Sequence, residues 1–597
     1  MGKGDYLISE IYRGGYSSLI PSSNNYMSAG SFGTTTDPRS ANILQEVSTK
    51  LNMGVKQMEI EGVSAEIFDS IPKPHMREVN RLAKLTGVEI SLHGPVIDVA
   101  GFTQQGFSEN NRELAERKVK ETLLRSHELN PDGNITVNFH SAEGIPGSQL
   151  LPPGERRITE KGPEDYRKMI AVNRKTGRMV PLEPEAKYFP GENLDLVKKD
   201  SPETRLKILN HSEWSNQLDQ VFFNQERAQE ILTKNHIQIQ HLFEDIAKIK
   251  KETGKDINPN DLPPTQRQVY ESYITAQNYL SDVHKQANNF FSEAYEFGTP
   301  EQKHQLKGLS NEFKETLEKA KKEDPLAIAN AMRHLINELK EPEFTPKMNV
   351  PIEEFALEKS SKTYGNAAFE AYKKFKDKSP ILVIENPPAG FALSTGEDIK
   401  NMVKESRKQF VANAVKDGMS ENEAKKKAEK FIGATWDVGH INMLRKFGYE
   451  EKDIIKEAEA VAPYIKHVHL SDNFGFEHTE LPMGMGNVPL KEIMEKLGKK
   501  GFDAKKIIEA GNWWQHFRTP PFQEVLEAVG SPLYSMNMAP YWNNAPGLVQ
   551  GYMSGYGQML PQINYETFGA GFSRLPSELG GTAPGAQGGR MSGKPME

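Results

Sequence analysis

Residues 381–390 read ILVIENPPAG, an apolar run that ends in the carboxylate Glu385 and continues into a turn rich in Pro and Gly. A buried strand that finishes in an ionisable residue leaves a costly group at its end unless that group is paired or used. Five further short apolar runs also end in His, Asp or Glu. These runs are VEISLHGP (88–95), ITVNFHSA (135–142), ATWDVGH (434–440), IKHVHLSDN (465–473) and KIIEAGN (506–512). Six endings of one kind indicate a single shared site.

The spacing of these runs predicts the fold. Segments of helical length alternate with short apolar runs over residues 1–140 and roughly 380–515. KQMEIEG (56–62) adds a seventh strand, and an eighth is expected near Ala29–Thr34. Such alternation is typical of βα units and a parallel sheet. We therefore predict an α/β fold, a (β/α)8 TIM barrel, whose functional residues lie at the carboxyl ends of the strands.

Two parts of the chain interrupt the alternation. A large, mostly helical insertion is expected after the strand that ends at His140, and an irregular C-terminal extension is expected after the barrel. The extension ends in a Gly-rich tail that is predicted to be disordered. The predicted parts are barrel 1–140, insertion 141–380 (loop-rich 141–202, helical 203–345, return to the barrel 346–380), barrel 381–515 and extension 516–597.

Composition limits the chemistry. The chain is 37% hydrophobic and 26% charged, which is typical of a globular domain. Its net charge of −7 argues against a wholly basic surface for nucleic acid, although a local basic groove remains compatible with it. There is no cysteine, so disulfides, thiolate zinc sites and cysteine nucleophiles are excluded. Any transition metal must be held by His, Asp and Glu.

The location of the protein in the cell is predicted from the lack of a signal-peptide pattern and of a long apolar run. The opening MGKGDYLISEIYRGG lacks the apolar core of a signal peptide, and no run of 18 apolar residues occurs. A cytoplasmic protein without a membrane segment is therefore expected.

The strand ends supply the candidate ligands. Side chains alternate along a strand with a period of two, so His140 shares a face with Asn138, and His467 shares a face with His469. If apolar side chains cover the outer face, the polar ones converge at the barrel mouth, with His467 one pleat deeper in a supporting role. Asn386, Asp472 and Asn473 are expected to hold the ligands in position or to fix loops rather than to bind metal. Nearby loops add three more groups. The nine candidates are His93, His140, Glu385, Asp437, His440, His469, His478, Glu480 and Glu509.

Nine such groups in one pocket indicate metal ions. Carboxylates that share a pocket repel one another, and burying a lone charge costs several kcal/mol. Divalent cations remove that conflict, and a mixture of imidazole and carboxylate suits zinc, manganese or iron. The number of groups is sufficient for two or three ions with positions left for water and substrate.

Several motifs resemble one family. NFHSA, VIENPPAG, WDVGH, HLSD and IIEAGN are similar to segments of the xylose isomerase-like TIM barrel superfamily, which includes endonuclease IV and many sugar isomerases and epimerases. The resemblance covers roughly residues 25–140 and 380–515. It implies a (β/α)8 barrel with its metal site at the mouth.

The resemblance also implies how the ligands divide among the metals. Glu385 would bridge two ions. His93 and His140 would complete the first site, and Asp437, His469 and Glu509 would complete the second. His440 would hold a third ion with His478 and Glu480, where the family's Asp-x-His pair reads His-x-Glu in this chain. This reversal puts the geometry of the third site in question more than its existence.

Two enzyme functions follow from the resemblance. One is a phosphodiester hydrolase of the endonuclease IV type, which acts at abasic sites in DNA with two or three zinc ions, or manganese. The other is an isomerase or epimerase of a sugar or sugar phosphate. It would use a single metal ion held by Glu385, Asp437, His469 and Glu509. In that enzyme Glu385 or Glu509 would also act as the acid and base, so these two are the catalytic candidates.

The sequence supports the two functions unequally. Five of the nine candidate ligands are surplus to a single-metal sugar site, which favours the hydrolase. Against it, DNA-probing loops are not recognisable, and Val96 lies where the repair enzymes tend to carry an aromatic residue. A scaffolding role ranks lower, because it would leave the ligands without a task. The helical insertion is expected to act as a lid or to dock a partner, either nucleic acid or protein.

Overall fold

The computed structural model contains a closed barrel of eight parallel strands, which confirms the predicted (β/α)8 fold. It describes residues 32–52, 55–103, 106–159, 162–188, 198–253, 258–319 and 325–511, with 513, 521, 524 and 525. Each barrel strand pairs with the next along the chain, and the last pairs with the first. The strands are β1 Phe32–Thr35, β2 Gln57–Glu61, β3 Glu89–His93, β4 Thr136–His140, β5 Ile381–Glu385, β6 Ile432–Asp437, β7 Ile465–Leu470 and β8 Lys505–Ile508.

The register of these strands places their polar ends at similar heights. Glu385 on β5 pairs with His140 on β4. Asp437 on β6 pairs with His469 on β7, after a register shift between Ala434 and Thr435. Adjacent strands therefore deliver neighbouring side chains to the same rim of the barrel.

Helices surround the barrel strands. The helix Gly396–Lys416 begins with a capping box, in which the side chains of Thr395 and Asp398 satisfy each other's backbone N–H groups. Its buried residues recur three or four positions apart, as expected for a helix packed on a sheet. The barrel helices are Ile43–Leu51, Ala65–Ser70, Lys73–Thr86, Glu109–Ser126, Ile352–Phe375, Gly396–Lys416, Glu421–Phe431, Val438–Asn442, Glu451–Val461 and Leu490–Asp503.

Residues Arg157–Pro351 form a compact unit of their own, and the barrel belongs to the other unit. Long helices build most of this inserted unit around apolar side chains such as Val221, Leu280 and Ile336. Strands Tyr166–Asn173, Met179–Leu182 and Asn349–Pro351 form an antiparallel sheet within it. The helices are Pro202–Lys234, His236–Thr253, Pro264–Phe297, Pro300–Lys319 and Pro325–Lys340.

Two further sequence-based expectations concern membrane-spanning helices and the C-terminal extension. Among the described residues, no helix has both the length and the hydropathy needed to cross a bilayer. The predicted C-terminal extension, 516–597, lies outside the described residues apart from positions 521, 524 and 525, so its Gly-rich tail stays a prediction.

Candidate metal centre

The carboxyl ends of the barrel strands open into a cavity of about 260 Å³. Six of the nine candidate ligands line this cavity, and the other three lie buried in contact with them. The lining candidates are His93, His140, His440, His478, Glu480 and Glu509. Glu385, Asp437 and His469 are completely buried. The structure thus brings all nine residues together, while their role as ligands stays a prediction.

The first cluster contains His93, His140 and Glu385. One ligand atom from each lies within 4.8 Å of the others. Glu385 Oε2 is 3.4 Å from His93 Nε2 and 3.6 Å from His140 Nε2. Two imidazoles and a carboxylate at these separations form a donor set suited to zinc or manganese.

The second cluster contains Glu385, Asp437, His469 and Glu509, whose ligand atoms also lie within 4.8 Å of one another. His469 Nδ1 is 2.9 Å from Glu385 Oε1 and 3.1 Å from Glu509 Oε1. Glu385 therefore turns Oε2 towards the first cluster and Oε1 towards the second. This is the arrangement expected of a carboxylate that bridges two cations.

A looser group lies beside these clusters, formed by His440 on the short helix after β6 and by His478 and Glu480 on the loop that follows β7. His440 Nε2 and His478 Nε2 are 2.8 Å apart, and His478 Nε2 is 3.6 Å from Glu480 Oε1. The side chains of His478 and Glu480 are 34% and 37% exposed, against 15% or less for the six candidates at strand ends. The third set is therefore the most open to solvent.

Each of the four innermost histidines has one ring nitrogen directed inward and the other placed on an acceptor. A histidine that ligates a metal usually donates its remaining N–H to a carboxylate or carbonyl, which fixes the tautomer and the ring. The outer contacts are His93 Nδ1 to Gly94 O (2.9 Å), His140 Nδ1 to Glu143 Oε2 (3.0 Å), His440 Nδ1 to Asn386 O (2.7 Å) and His469 Nε2 to Glu59 Oε1 (2.9 Å). The rings of His93, His140 and His440 are thus hydrogen-bonded as metal ligands require, while His469 Nε2 lies within ion-pair distance of Glu59 without forming a hydrogen bond.

Polar neighbours also hold the carboxylates. Asn386 brackets the backbone of Asp437, since its Oδ1 accepts from the Asp437 N–H at 2.9 Å and its Nδ2 donates to the Asp437 carbonyl at 3.0 Å. Ser471 donates its hydroxyl to Asp437 Oδ1 at 3.2 Å. The amide of Asn138 donates to Glu385 Oε2. Asn386 therefore has the positional role that sequence analysis predicts for it.

Asp472 organises the loop that carries His478 and Glu480. Its carboxylate accepts four backbone N–H groups, from Asn473, Gly484, Gly486 and Val488, at 2.8–3.0 Å. A Cβ at position 486 would lie 2.3 Å from Asp472 Oδ1, so this position needs glycine. One buried side chain thereby closes the base of the whole loop.

The buried carboxylates have opposed pKa shifts. Burial raises the pKa of Glu385 and Glu509, but the positive charge and hydrogen bonds of His469 outweigh it, leaving the pKa of Glu385 well below its usual value and that of Glu509 at about 2. Burial, together with the charges of Glu509 and Glu385, raises the pKa of Asp437 well above its usual range and that of Glu480 to about 7. The site therefore cannot ionise all its carboxylates at neutral pH by its own charges.

The histidines show the same conflict. Burial lowers the pKa of His93, but a hydrogen bond to Glu385 and the charge of Glu61 raise it to about 10. Burial and the adjacent His478 lower the pKa of His440 to about 3. Cations would replace the protons on the carboxylates and on His93, so the donor set fits bound divalent metal.

Sequence analysis did not include two acidic residues of β2. Glu61 lines the cavity and pairs in register with His93, and Glu59 lies buried one pleat deeper. Each of Glu59, Glu61 and Glu509 offers one carboxylate oxygen, and these three oxygens lie within 4.8 Å of one another. The period-two spacing of the glutamates in KQMEIEG, at the end of a strand, is the signal that predicts both to face inward.

Comparisons with known proteins agree with this barrel. A family model described as "Xylose isomerase-like TIM barrel" matches residues 356–529. An uncharacterized protein of Methanocaldococcus jannaschii, MJ1311, is 32% identical over 83 residues, which cover 14% of this chain and 27% of that protein. The chain thus aligns with only about a quarter of the length of this relative.

Two solved sugar epimerase structures align with most of the chain at low identity. A D-tagatose 3-epimerase-like protein is 14% identical, with 85% of this chain and 99% of that chain covered and a TM-score of 0.36. D-Psicose 3-epimerase from Clostridium cellulolyticum H10, solved with D-tagatose, is 9% identical, with 85% and 98% covered and a TM-score of 0.34. The segment matched by the family model, 356–529, spans β5 to β8 and contains the whole second cluster.

Proposed function

We propose, from the premise that the chain belongs to the xylose isomerase-like TIM barrel superfamily, that this protein is a metal-dependent phosphodiester hydrolase of the endonuclease IV type. Its substrate would be DNA that contains an abasic site, and its cofactor would be two or three zinc ions, or manganese.

One observation carries this proposal: Glu385 turns its two oxygens towards two different donor clusters. A single-metal sugar enzyme needs only the second cluster, and it would leave the other five candidates without a task. His93 and His440 are buried and the His140 side chain is only 14% exposed, and ionisable groups so placed are costly, so these three favour a centre with several ions.

Glu385 and Glu509 have different roles in this proposal, one as a metal ligand and the other as a proton acceptor. Glu385 is completely buried and both its oxygens face histidines, so its role is to hold ions. The side chain of Glu509 is 15% exposed and lines the cavity, where it can accept a proton from a bound molecule. When bound, the ions would lower the pKa of a water molecule and stabilise charge on the phosphoryl oxygens.

The cavity size bears on the substrate. At about 260 Å³ it is smaller than typical ligand pockets of about 300–1,000 Å³. A sugar-phosphate group that has lost its base is smaller than a complete nucleotide, so an abasic site suits this cavity better than intact DNA.

A second candidate is a sugar or sugar phosphate isomerase or epimerase. The second cluster favours it, because its four residues form a complete site for one ion without the others. In that enzyme Glu385 or Glu509 would transfer the proton. The small cavity is equally compatible with a monosaccharide.

The deciding experiment compares the two reactions on one preparation. A duplex with a single abasic site is incubated with the protein, with and without a chelator, beside a panel of ketoses and aldoses. We expect incision that is lost on chelation, and elemental analysis that finds two to three zinc or manganese ions per chain. Sugar turnover with one ion or fewer per chain would instead select the isomerase, and absence of metal would contradict both.

A matched pair of variants controls for folding. Glu509→Gln is expected to remove incision. Glu457→Gln changes another partly buried carboxylate, which accepts from the Gly396 N–H at 2.7 Å and does not line the cavity, and it should leave incision unchanged.

A further inference from the structure

Two buried residues, Glu59 and His467, lie beside the candidate ligand His469 on the side away from the cavity. All three side chains are 0% exposed. Glu59 Oε1 lies 2.9 Å from His469 Nε2, and Glu59 Oε2 lies 3.3 Å from His467 Nε2. Glu59 thus joins two histidines of β7 from the other side of the barrel interior, on β2.

His469 differs from the other histidines in the nitrogen that it turns inward. His93, His140 and His440 direct Nε2 to the site and anchor Nδ1. Their anchors are residues close in sequence or on a neighbouring strand. His469 directs Nδ1 inward, towards Glu385 and Glu509. The residue that holds its other nitrogen, Nε2, must therefore lie on the side of the ring away from these two carboxylates. Glu59 occupies that place.

We infer that Glu59 is a positioning residue of the metal centre: its carboxylate lies 2.9 Å from His469 Nε2 and would accept the Nε2–H when Nδ1 binds metal, which would fix the ring. The inference depends on the metal centre of the proposed function, though not on its substrate. Carboxylates that hold the far nitrogen of a ligating histidine orient the ring and increase its basicity.

The cost of burying Glu59 supports this role. A carboxylate without solvent is destabilising unless it is paired, and an apolar side chain would fill the same space at lower cost. Both oxygens of Glu59 lie within ion-pair distance of the two histidine rings.

His467 holds the other oxygen of Glu59. His467 Nε2 lies 3.3 Å from Glu59 Oε2, the oxygen that does not face His469. Its ring is 4.9 Å from that of His469, centroid to centroid, and His467 does not line the cavity. The supporting role that sequence analysis predicts for its deeper position stays a prediction.

The test measures zinc affinity by competition with a chelator. We expect Glu59→Leu to weaken zinc binding about 10- to 100-fold, the effect usual for an outer anchor of a ligating histidine. Glu59→Gln should restore most of the affinity, because its amide oxygen can accept the same N–H. Glu457→Gln is the matched control, since it changes a carboxylate that does not line the cavity, and it should bind zinc as well as the parent.

A spectroscopic readout separates positioning from general support of the core. In the zinc-loaded parent, the ¹⁵N spectrum of the 15 histidines should show His469 with Nε2 protonated and Nδ1 metal-bound, its signals being those lost in His469→Gln. A protonated Nδ1 on His469, or parental zinc affinity in Glu59→Leu, would overturn the inference. If Glu59→Leu does not fold, the parent spectrum decides.

Failure of the function and of the inference can be told apart. A parent protein that binds no zinc overturns both. A parent that binds zinc with the expected spectrum but does not cleave abasic DNA overturns the hydrolase alone.

Discussion

The candidate ligands at strand ends and those on the loop after β7 are held in different ways. The strand-end residues sit on a closed ladder of backbone hydrogen bonds and are 15% exposed or less. His478 and Glu480 are 34% and 37% exposed, and the base of their loop is closed by the carboxylate of Asp472. Rigid strands preform a site, whereas a loop held by one side chain assembles it less firmly. The first two metal positions should therefore bind more tightly than the third.

Glu385→Gln should have the largest effect, because it changes the residue shared by the two strand-borne clusters. We expect loss of two ions by elemental analysis and a fall in activity of about 1,000-fold or more, at the upper end of the loss from one preorganised electrostatic contact. Glu457→Gln is the control. Full activity with two retained ions would end the bridging assignment.

His478→Ala should affect only the loop-borne position. We expect one ion fewer per chain, two ions retained, and a fall in activity of about 100-fold, the scale of losing one such contact. Ala at the exposed neighbour Glu477 is the control and should change neither value. If His478→Ala released every ion, the loop and the strands would be one cooperative site and the comparison would fail.

The pH dependence of stability should give the smallest effect. In the metal-free protein the pKa of His93 is about 10, above its ordinary 6.5, so its contribution to stability is complete below about pH 6.5 and is lost as the pH rises towards 10. The carboxyl of Glu480, raised to about 7, loses its contribution over a lower range, from about 4.5 to 7.

The measurement is the thermal midpoint between pH 6.5 and 10, with and without zinc. The midpoint of the metal-free protein should fall across this range, because the folded protein gives up the proton that His93 holds at lower pH. The zinc-loaded protein should lack this fall, because His93 would be a neutral ligand. An identical fall in both would show that His93 does not bind zinc.

Much of the barrel could be predicted from sequence because its signals are local. Each strand is a short apolar run, and each run ends in a polar residue such as His140, Glu385 or Asp437. Even the weak eighth strand near Ala29–Thr34 corresponds to β1, Phe32–Thr35. Glu59 and Glu61 are not among the predicted ligands, because sequence analysis uses KQMEIEG only as a seventh strand, although the spacing of its glutamates places both on one face.

Other features depend on contacts between distant parts of the chain. Nothing local to HLSDN indicates that His469 turns Nδ1 inward, because the cause is Glu59, more than 400 positions earlier. The task of the inserted unit, Arg157–Pro351, as a lid or a docking arm stays a prediction.

The sequence by itself determined which residues could bind metal and that they would gather at one rim, since strand period and strand order follow from local patterning. Only the tertiary structure decided how they divide among clusters, which nitrogen each ring presents and which buried carboxylate supports it. Those choices depend on register, on a shift between Ala434 and Thr435, and on the closure of the barrel, which bring together atoms from strands far apart in the chain.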